Sequence, residues 1–420
     1  MVEMYMNNSM IKKITPYFSA FCLIWLHNSY YMQANVSGIY RTMLPTILAV
    51  GVVLIQRNFK IDKKPLLFFT IVFALSILSD GLTQSFENII TIFIIYFGAM
   101  MLCKLCEFDK FAQAFNRCVY WICLISVMFY FINLYIPRAL NLIPNFLYVN
   151  TWRGDVDSVY GKLYLYTFFV KQVTNYYRNF GIFVEPGMFQ IYINLAILFE
   201  MFYLKNFSIK RLVVYLIAMA TCLSTTGLVV TGILLSCYLL DKDTYISSRK
   251  RKAGYLIILI VVVTITFSPL IGVDILDNLS KMSQLKDEIS YGTVSSGAER
   301  TRAYAVAIQA FLERPFLGWG SHTSEYALAV AGKHVIMTAT CMNWFASGGI
   351  IVGTLWNYAY FGIIRYFNKN MIINIILMFS LFLMVSSQSM NGNLLIITLC
   401  FWGVSYKNRS NSDEESYCWN

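Results

Sequence analysis

The sequence predicts an all-α protein, a polytopic bundle of about twelve transmembrane helices. Hydrophobic residues make up 58% of the 420 positions, and charged residues only 13%. A soluble domain of this length carries about twice that share of charge. We therefore expect one integral membrane domain over residues 1–410, with a short cytoplasmic tail at 411–420, instead of several soluble domains.

Apolar runs divide the chain into candidate membrane spans. A helix needs roughly 20 residues to cross about 30 Å of hydrocarbon, and a few less where flanking residues reach the interface. Lys12 and Lys13 precede the first run, and no small-residue cleavage site follows it, so we interpret this run as a span and not as a signal peptide. The predicted spans, of which the third, seventh and eighth are short, are 15–35, 40–56, 65–79, 88–104, 118–136, 187–204, 211–224, 226–240, 253–271, 341–364, 370–388 and 391–406.

Basic residues are distributed as the positive-inside rule requires. With the N-terminus in the cytoplasm, the termini and short cytoplasmic segments hold 21 of the 33 lysines and arginines, and the short outer turns hold only Arg41. This distribution accounts for the net charge of +11 without nucleic acid as a partner. It predicts both termini inside and two long outer loops, 137–186 and 272–340, which hold the other eleven basic residues.

The second outer loop contains the pattern of a short amphipathic helix. Ser296 and Glu299 form a capping box, and Pro315 ends a helix of about 16 residues. We expect this helix to lie along the outer membrane face, with Arg300 and Arg302 on opposite sides and Arg302 in solvent. Its apolar stripe consists of Ala303, Val306, Ala307, Ala310 and Phe311.

Charged and glycine-containing motifs interrupt the apolar sequence on the predicted outer side. Charge is costly in lipid, so residues kept beside the membrane indicate a function there. One motif, RNFGIFVEPG, runs from Arg178 through Glu185 and opens a span. The others are Ser224-Thr-Thr-Gly227 between two apolar runs, Arg300 with Tyr304, Pro315-Phe-Leu-Gly318-Trp-Gly320, and Asn343 ahead of Gly348-Gly349.

In their order and spacing, these motifs resemble the O-antigen polymerase (Wzy) and O-antigen ligase superfamily, over roughly residues 170–365. The resemblance implies a GT-C-like membrane glycosyltransferase without a metal, nucleotide-sugar site or other cofactor. Such enzymes join undecaprenyl-diphosphate-linked oligosaccharides on the periplasmic face of the bacterial inner membrane. The two outer loops would then be periplasmic. The family often has adjacent His and Asn residues before its last glycine-rich span, whereas His334 and Asn343 are separated here.

The resemblance also implies roles for individual residues, and their chemistry agrees. A lipid diphosphate leaving group needs cationic, bidentate donors, which arginine supplies through its planar fork. A carboxylate or histidine within hydrogen-bond reach could take the proton of the acceptor hydroxyl. The expected catalytic residues are Arg178, Glu185, Arg300 and His334. The expected substrate-binding residues are Arg302, His322, Trp319, Gly318, Gly320 and Asn343, with no metal site.

Each of these residues also has a simpler interpretation. Arg178 could snorkel to the membrane interface, and Glu185 could merely start a helix that has proline at its first position. A loop histidine is most often polar surface, and His27 in the first span is more consistent with a packed polar patch than with catalysis. Trp319 could be an interface anchor in a turn, or could stack on a sugar.

Three alternatives to a surface polysaccharide polymerase remain. One is the ligase of the same superfamily. The second is a flippase or other transporter of lipid-linked oligosaccharide, which would place ionisable residues near the bilayer midplane. The third is a structural subunit of an export complex. The polymerase is favoured because charge is concentrated outside the spans. Its expected partners are the lipid-linked oligosaccharide as donor and acceptor, membrane lipids, and, among proteins, a chain-length regulator and a flippase.

Overall fold

The computed structural model describes residues 2–56, 62–83, 88–151, 161–170, 178–204, 207–240, 296–331, 338–367, 369–386 and 388–406. Within these ranges the chain is mostly helical, as the sequence predicts. Three predicted regions lie outside the described residues: the span at 253–271, the following part of the second outer loop to residue 295, and the tail at 411–420.

Helices of the N-terminal third correspond to the first five predicted spans. They are α1 Val2–Phe21, α2 Tyr30–Asn35, α3 Gly38–Ile55, α4 Lys63–Leu82, α5 Ile89–Leu105 and α6 Phe108–Tyr135. α1 continues into a π-helical turn, Cys22–Leu26, and the helix then stops before α2 begins. Ser29 caps α2, because its Oγ accepts the Met32 N–H at 3.3 Å. The predicted span at 15–35 is therefore two segments and not one continuous helix.

The remaining helices include two that lie in the second outer loop. They are α7 Pro186–Leu198, α8 Ile209–Cys222, α9 Thr225–Leu240, α10 Ser296–Glu313, α11 Thr323–Ala331, α12 Thr340–Phe361, α13 Met371–Val385 and α14 Leu394–Ser405. α10 starts at the predicted capping box and stops before Pro315, so its 18 residues match the helix predicted there.

Three of the described helices, α3, α4 and α6, are long and apolar enough to cross a membrane, and α5, α9, α13 and α14 are shorter apolar helices. These helices support a membrane protein, while the number of about twelve spans stays a prediction. α12 has 22 residues but is kinked at Gly349, whose φ of 68° is left-handed. α8 has 14 residues. It therefore rises only about 21 Å, less than the roughly 30 Å of a hydrocarbon core.

The first outer loop forms strands, which the sequence analysis did not predict. Two 3₁₀ turns after α6 lead into an antiparallel sheet of order β1-β2-β3. The strands are β1 Tyr148–Thr151, β2 Gly161–Tyr164 and β3 Phe168–Val170. Tyr164 and Phe168 are buried, and each ring centroid lies 6.0 Å from that of Phe129 in α6. The described part of this loop thus packs onto the bundle through a sheet.

Aromatic side chains join the first helices of the chain to the last. The Trp356 ring of α12 is fully buried, and it meets the rings of Phe68 in α4 and Phe401 in α14 at centroid distances of 5.1 and 6.4 Å. Such edge-to-face pairs add to the free energy gained by burial. The N-terminal helices therefore share one core with the segment that carries the motifs.

A buried ion pair fixes the N-terminal end of α8. The Glu200 carboxylate accepts hydrogen bonds from Arg211 Nε and Nη2 at 2.9 and 2.8 Å, from Ser208 N at 2.6 Å and from Asn116 Nδ2 at 3.1 Å. A buried carboxylate is tolerated when it is paired and hydrogen-bonded in this way. The contact ties α6 and the π-helical turn Phe199–Tyr203, which continues α7, to α8 at their predicted cytoplasmic ends.

α10 packs lengthwise against α12, and both helices run in the same direction. The rings of Phe311 and Phe345 lie 5.6 Å apart, and four residues later the Pro315 carbonyl accepts the Ile350 N–H at 2.7 Å. The predicted stripe on α10 is largely buried against α11 and α12, with Ala303, Ala307 and Ala310 fully covered. α10 is therefore part of the helix packing of the bundle, and its position along the outer membrane face stays a prediction. Its small residues allow close lengthwise contact with a neighbouring helix.

Candidate active site at the outer helix ends

Arg178 lies on the turn that joins α8 to α9. Its Nε donates to the Cys222 carbonyl at 3.2 Å, and its Nη2 donates to the Leu223 carbonyl at 2.7 Å. Leu223 has a left-handed φ of 51°, so the last carbonyls of α8 are without helical partners. A cation at a helix C-terminus is also favoured by the helix dipole. Arg178 is therefore held along the Nε–Nη2 edge of its guanidinium and is not a freely snorkelling side chain.

Residues that follow Arg178 bind to the same turn. The Asn179 backbone N–H donates to the Thr221 carbonyl at 2.9 Å, and Asn179 Nδ2 donates to Thr221 Oγ1 at 3.1 Å. Asn179 Oδ1 then accepts the Gly181 N–H at 2.9 Å. Gly181 has a φ of 55°, and a Cβ there would lie 3.0 Å from the Phe189 ring. The conformation and the close contact both favour glycine at this position of the motif.

Glu185 precedes α7, and its side chain does not cap the helix. Its backbone carbonyl accepts the Met188 and Phe189 N–H groups, which begins the helix with Pro186 at the first position. The side chain is exposed and forms no capping hydrogen bond. Starting the helix therefore requires the backbone of Glu185 and not its carboxylate.

Cys222 connects the two ends of the RNFGIFVEPG motif. Its carbonyl accepts from Arg178, and its Sγ donates to the Pro186 carbonyl at 3.0 Å. The Ser-Thr-Thr-Gly motif follows directly after this contact in the chain. Within the motif, Ser224 Oγ accepts the Gly227 N–H at 3.3 Å. A Cβ on Gly227 would lie 2.8 Å from Gln190 Cβ of α7. The first two motifs thus form one structural unit at the outer ends of α7, α8 and α9.

Gln388, which follows α13, connects the start of α12 to the first turn of α7. A Cβ on Gly187 would lie 2.1 Å from Gln388 Nε2, so the Gln388 amide lies directly over the first turn of α7. The Gln388 carbonyl accepts from Thr340 Oγ1 at 2.9 Å, and that hydroxyl accepts the Met390 N–H at 2.9 Å. Thr340 begins α12, and Asn343 is buried one turn later. Asn343 therefore belongs to the neighbourhood of this site.

Tyr304 connects α10 to the end of α13. The side chains of Tyr304 and Ser386 are hydrogen-bonded, and burial raises the pKa of the Tyr304 phenol. Arg300 lies one helical turn before Tyr304. Arg302 is half-buried, and its Nη1 is buried with no hydrogen-bond partner among the described residues. The expectation of a solvent-exposed Arg302 is therefore wrong, because the residue borders the face that α10 packs against α12.

The PFLGWG segment is clamped between α12 and α4. The Trp319 N–H donates to the Ala346 carbonyl at 2.9 Å, and Ser79 Oγ of α4 donates to the Leu317 carbonyl at 2.6 Å. Gly318 and Gly320 have φ values of 67° and 56°, and a Cβ on Gly318 would lie 2.4 Å from the Ser347 backbone. These glycines are needed for backbone conformation and close approach. Their substrate-binding role remains a prediction.

Trp319 and His322 have protein partners. Trp319 Nε1 donates to the Ala310 carbonyl at 3.0 Å, the Arg314 guanidinium carbon lies 3.9 Å from the ring centroid, and the Tyr326 ring lies 4.4 Å away. The structure thus gives the ring an internal packing role, and sugar stacking remains a prediction. His322 is bound to the Glu325 carboxylate one turn later in the chain.

The structure brings some of the predicted site residues together and leaves others elsewhere. Arg178, Glu185 and Asn343 lie around the outer ends of α7, α8 and α12, and the helix that carries Arg300 and Arg302 packs beside them. Gly318, Trp319, Gly320 and His322 lie on the α4 side of α12. His334 falls outside the described residues. Among the described residues, no three His, Cys, Asp or Glu side chains are grouped as a metal site would require.

Sequence reasoning missed Asp80, Cys222 and Gln388. Asp80 is fully buried near the end of α4, and its carboxylate accepts the Ser321 N–H at 2.7 Å and Ser321 Oγ at 3.2 Å. An acid inside an apolar run was a usable signal, because ionisable residues in spans are costly. Cys222 and Gln388 act through contacts between distant segments, for which the sequence carries no local signal.

Comparison of the chain with protein-family models, with curated proteins and with solved structures gives no match.

Proposed function

We propose that the chain is a membrane glycosyltransferase, a polymerase of surface polysaccharide such as O-antigen. It would join undecaprenyl-diphosphate-linked oligosaccharide repeat units on the periplasmic face of the bacterial inner membrane. The donor leaves as a lipid diphosphate, and the acceptor hydroxyl of a second lipid-linked repeat attacks the sugar. This reaction needs cations for the leaving group and a base for the hydroxyl.

The observation that carries the proposal is the anchoring of Arg178. Two of its five N–H groups are committed to the Cys222 and Leu223 carbonyls. Its Nη1 forms no hydrogen bond within the part of the chain that the structure describes. A guanidinium held in this way loses little side-chain entropy when it binds a diphosphate with its remaining donors. It would stabilise the charge that develops on the leaving group.

Arg302 supplies a second cation of the required kind. A buried guanidinium nitrogen without an acceptor costs free energy unless a ligand compensates for it. An anionic diphosphate bound beside α10 would provide that acceptor. Glu185 is exposed at the start of α7, and its side chain does not cap the helix. It is therefore the candidate to take the acceptor proton or to orient Arg178.

Deletion of the gene in its host, followed by gel analysis of the surface polysaccharide, tests the proposal. Loss of a polymerase leaves core carrying a single repeat. Bare core with accumulated lipid-linked polymer would instead indicate the ligase, and complete absence of surface repeats would indicate a flippase. Complementation should restore the polymer ladder with the wild-type chain and not with Arg178→Lys produced at the same membrane level.

A further inference from the structure

The α10–α11 segment packs beside the part of α12 that the sequence predicts to be a membrane span. α12 begins at Thr340 and is regular until the kink at Gly349, so its first nine residues rise about 14 Å. The PFLGWG segment, which joins α10 to α11, contacts α12 at Ala346 and Ile350. Ala346 lies about 9 Å along the helix from Thr340, at 1.5 Å per residue, and Ile350 follows the kink.

α4 gives an independent measure of the same depth. α4 begins at Lys63, on the predicted cytoplasmic side, and Ser79 follows 16 residues later, about 24 Å along the helix. Ser79 Oγ donates to the Leu317 carbonyl at 2.6 Å, and Asp80 accepts the Ser321 N–H at 2.7 Å. With Lys63 at the predicted cytoplasmic boundary, α4 places the turn within the roughly 30 Å of the hydrocarbon core.

The turn meets the physical condition for irregular backbone at that depth. Polar backbone groups in lipid must have partners within the protein. Here the carbonyls of Pro315 and Leu317 and the N–H groups of Trp319 and Ser321 all have such partners. Charged side chains of the turn are also engaged: Arg314 covers the Trp319 ring, and the Glu313 carboxylate accepts from Tyr326 Oη at 2.6 Å.

A second side of α10 is apolar and uncovered. Ile308 and Leu312 on α10 and Phe316 in the turn that follows it are 44%, 68% and 72% exposed. This ridge is separate from the stripe that α11 and α12 bury, since Ala303, Ala307 and Ala310 have no exposure. Gln309 and Glu313 are exposed beside this ridge, and Gln309 Nε2 donates to the Glu313 carboxylate at 3.3 Å. The ridge also descends from Ile308 toward the turn at Phe316.

We propose that α10, the PFLGWG turn and α11 form a re-entrant hairpin in the outer leaflet, and that Ile308, Leu312 and Phe316 contact the hydrocarbon chains of membrane lipid. The proposal does not depend on the proposed function. It assigns to the second outer loop a position within the bilayer, with the start of α10 at the headgroup level and its end among the acyl chains.

Site-directed spin labelling tests the position of the ridge. Ile308, Leu312 and Phe316 are replaced one at a time by cysteine and labelled with a nitroxide. The labelled proteins are placed in phosphatidylethanolamine–phosphatidylglycerol vesicles, and the wild-type chain is carried through as a blank for the native cysteines. Access of oxygen relative to a water-soluble nickel complex reports depth. Glu325→Cys on α11 is the matched control, because Glu325 is exposed and charged.

The re-entrant hairpin predicts that depth increases from residue 308 to 312, by at most about 6 Å for a helix along the membrane normal, and that residue 316 in the turn is also within the hydrocarbon. Oxygen should be favoured over nickel at 312 and 316, and nickel should be favoured at 325. Equal depth at the three positions would mean a helix in the interface plane, and equal nickel access at 312 and 325 would mean a helix in water. Either result overturns the proposal.

Discussion

The Asp80 carboxylate, near the outer end of α4, binds the backbone N–H of Ser321 at 2.7 Å across 241 residues of sequence. A Cβ on Gly320 would lie 2.2 Å from the same carboxylate oxygen, so no larger residue fits beside it. An early helix without any motif therefore holds the outer-loop hairpin in place.

Asp80→Ala should destabilise the protein, because it leaves the buried Ser321 N–H without an acceptor, at a cost of about 1–3 kcal/mol. Asp80→Asn keeps one acceptor oxygen and should be milder. Thermal unfolding in detergent measures both, with the exposed Glu107→Gln as control. Combining Asp80→Ala with Ser321→Ala should give less than the sum of the single effects, and additive effects would show that the two residues are not coupled.

Arg178→Lys should lose most polymer formation although the charge is retained. One ammonium cannot bind the Cys222 and Leu223 carbonyls and also present a planar fork to a diphosphate. The matched control is Arg138→Lys, at an exposed arginine in the first outer loop. Gel ladders at matched membrane levels measure the effect. Normal ladders with a lowered unfolding temperature would leave Arg178 with a purely structural role.

Arg300→Lys and Arg302→Lys separate the two cations of α10. We expect Arg300→Lys to lose most activity, as the motif resemblance implies. Arg302→Lys, which the sequence alone predicts to be mild, should also raise the KM for lipid-linked repeat several-fold, because the buried Nη1 is lost. Turnover of purified lipid-linked oligosaccharide in vesicles measures both. Wild-type KM in Arg302→Lys would refute contact between Arg302 and the diphosphate.

Glu185→Gln should leave abundance and stability unchanged, since α7 begins through the Glu185 backbone and not through its side chain. If the carboxylate takes the acceptor proton or orients Arg178, polymer formation should fall at least about 100-fold, the lower range for loss of a general base. Ladder analysis and thermal unfolding are measured on the same preparation. Near-normal polymer would mean that the motif merely starts a helix.

Polymerisation of purified lipid-linked repeat should survive EDTA. In the proposed mechanism Arg178 and Arg300 supply the positive charge that a divalent ion supplies in other transferases. The measurement is product length after chelation, with and without added Mg²⁺. Loss of activity that Mg²⁺ restores would refute the metal-free mechanism and direct attention to the acids of the first outer loop, Asp155 and Asp157.

Hydrophobic run length and the capping box of α10 allowed most helices to be predicted from sequence, because both signals are local. The break at His27 and the kink at Gly349 were not predictable from run length, since a π-helical turn and tertiary contacts decide them. The burial of Arg302 depends on which side of α10 faces α12. The sequence pattern of α10 has two apolar sides, and only the packing of the folded protein decides which of them faces α12.

The short helix α8, which the sequence predicts to be the seventh span, is expected to make the protein sensitive to bilayer thickness. Ile209, Val213 and Ile217 are exposed on one side of α8, where we expect lipid to contact a helix of only about 21 Å. A membrane adapts to such a mismatch by thinning, at a modest elastic cost for each ångström. Long-chain lipids form a thicker bilayer. They would therefore raise that cost and move the lipid headgroups outward, away from the α8–α9 turn. The rate of the proposed reaction should thus vary with acyl-chain length, which makes the host membrane itself a determinant of polymer length.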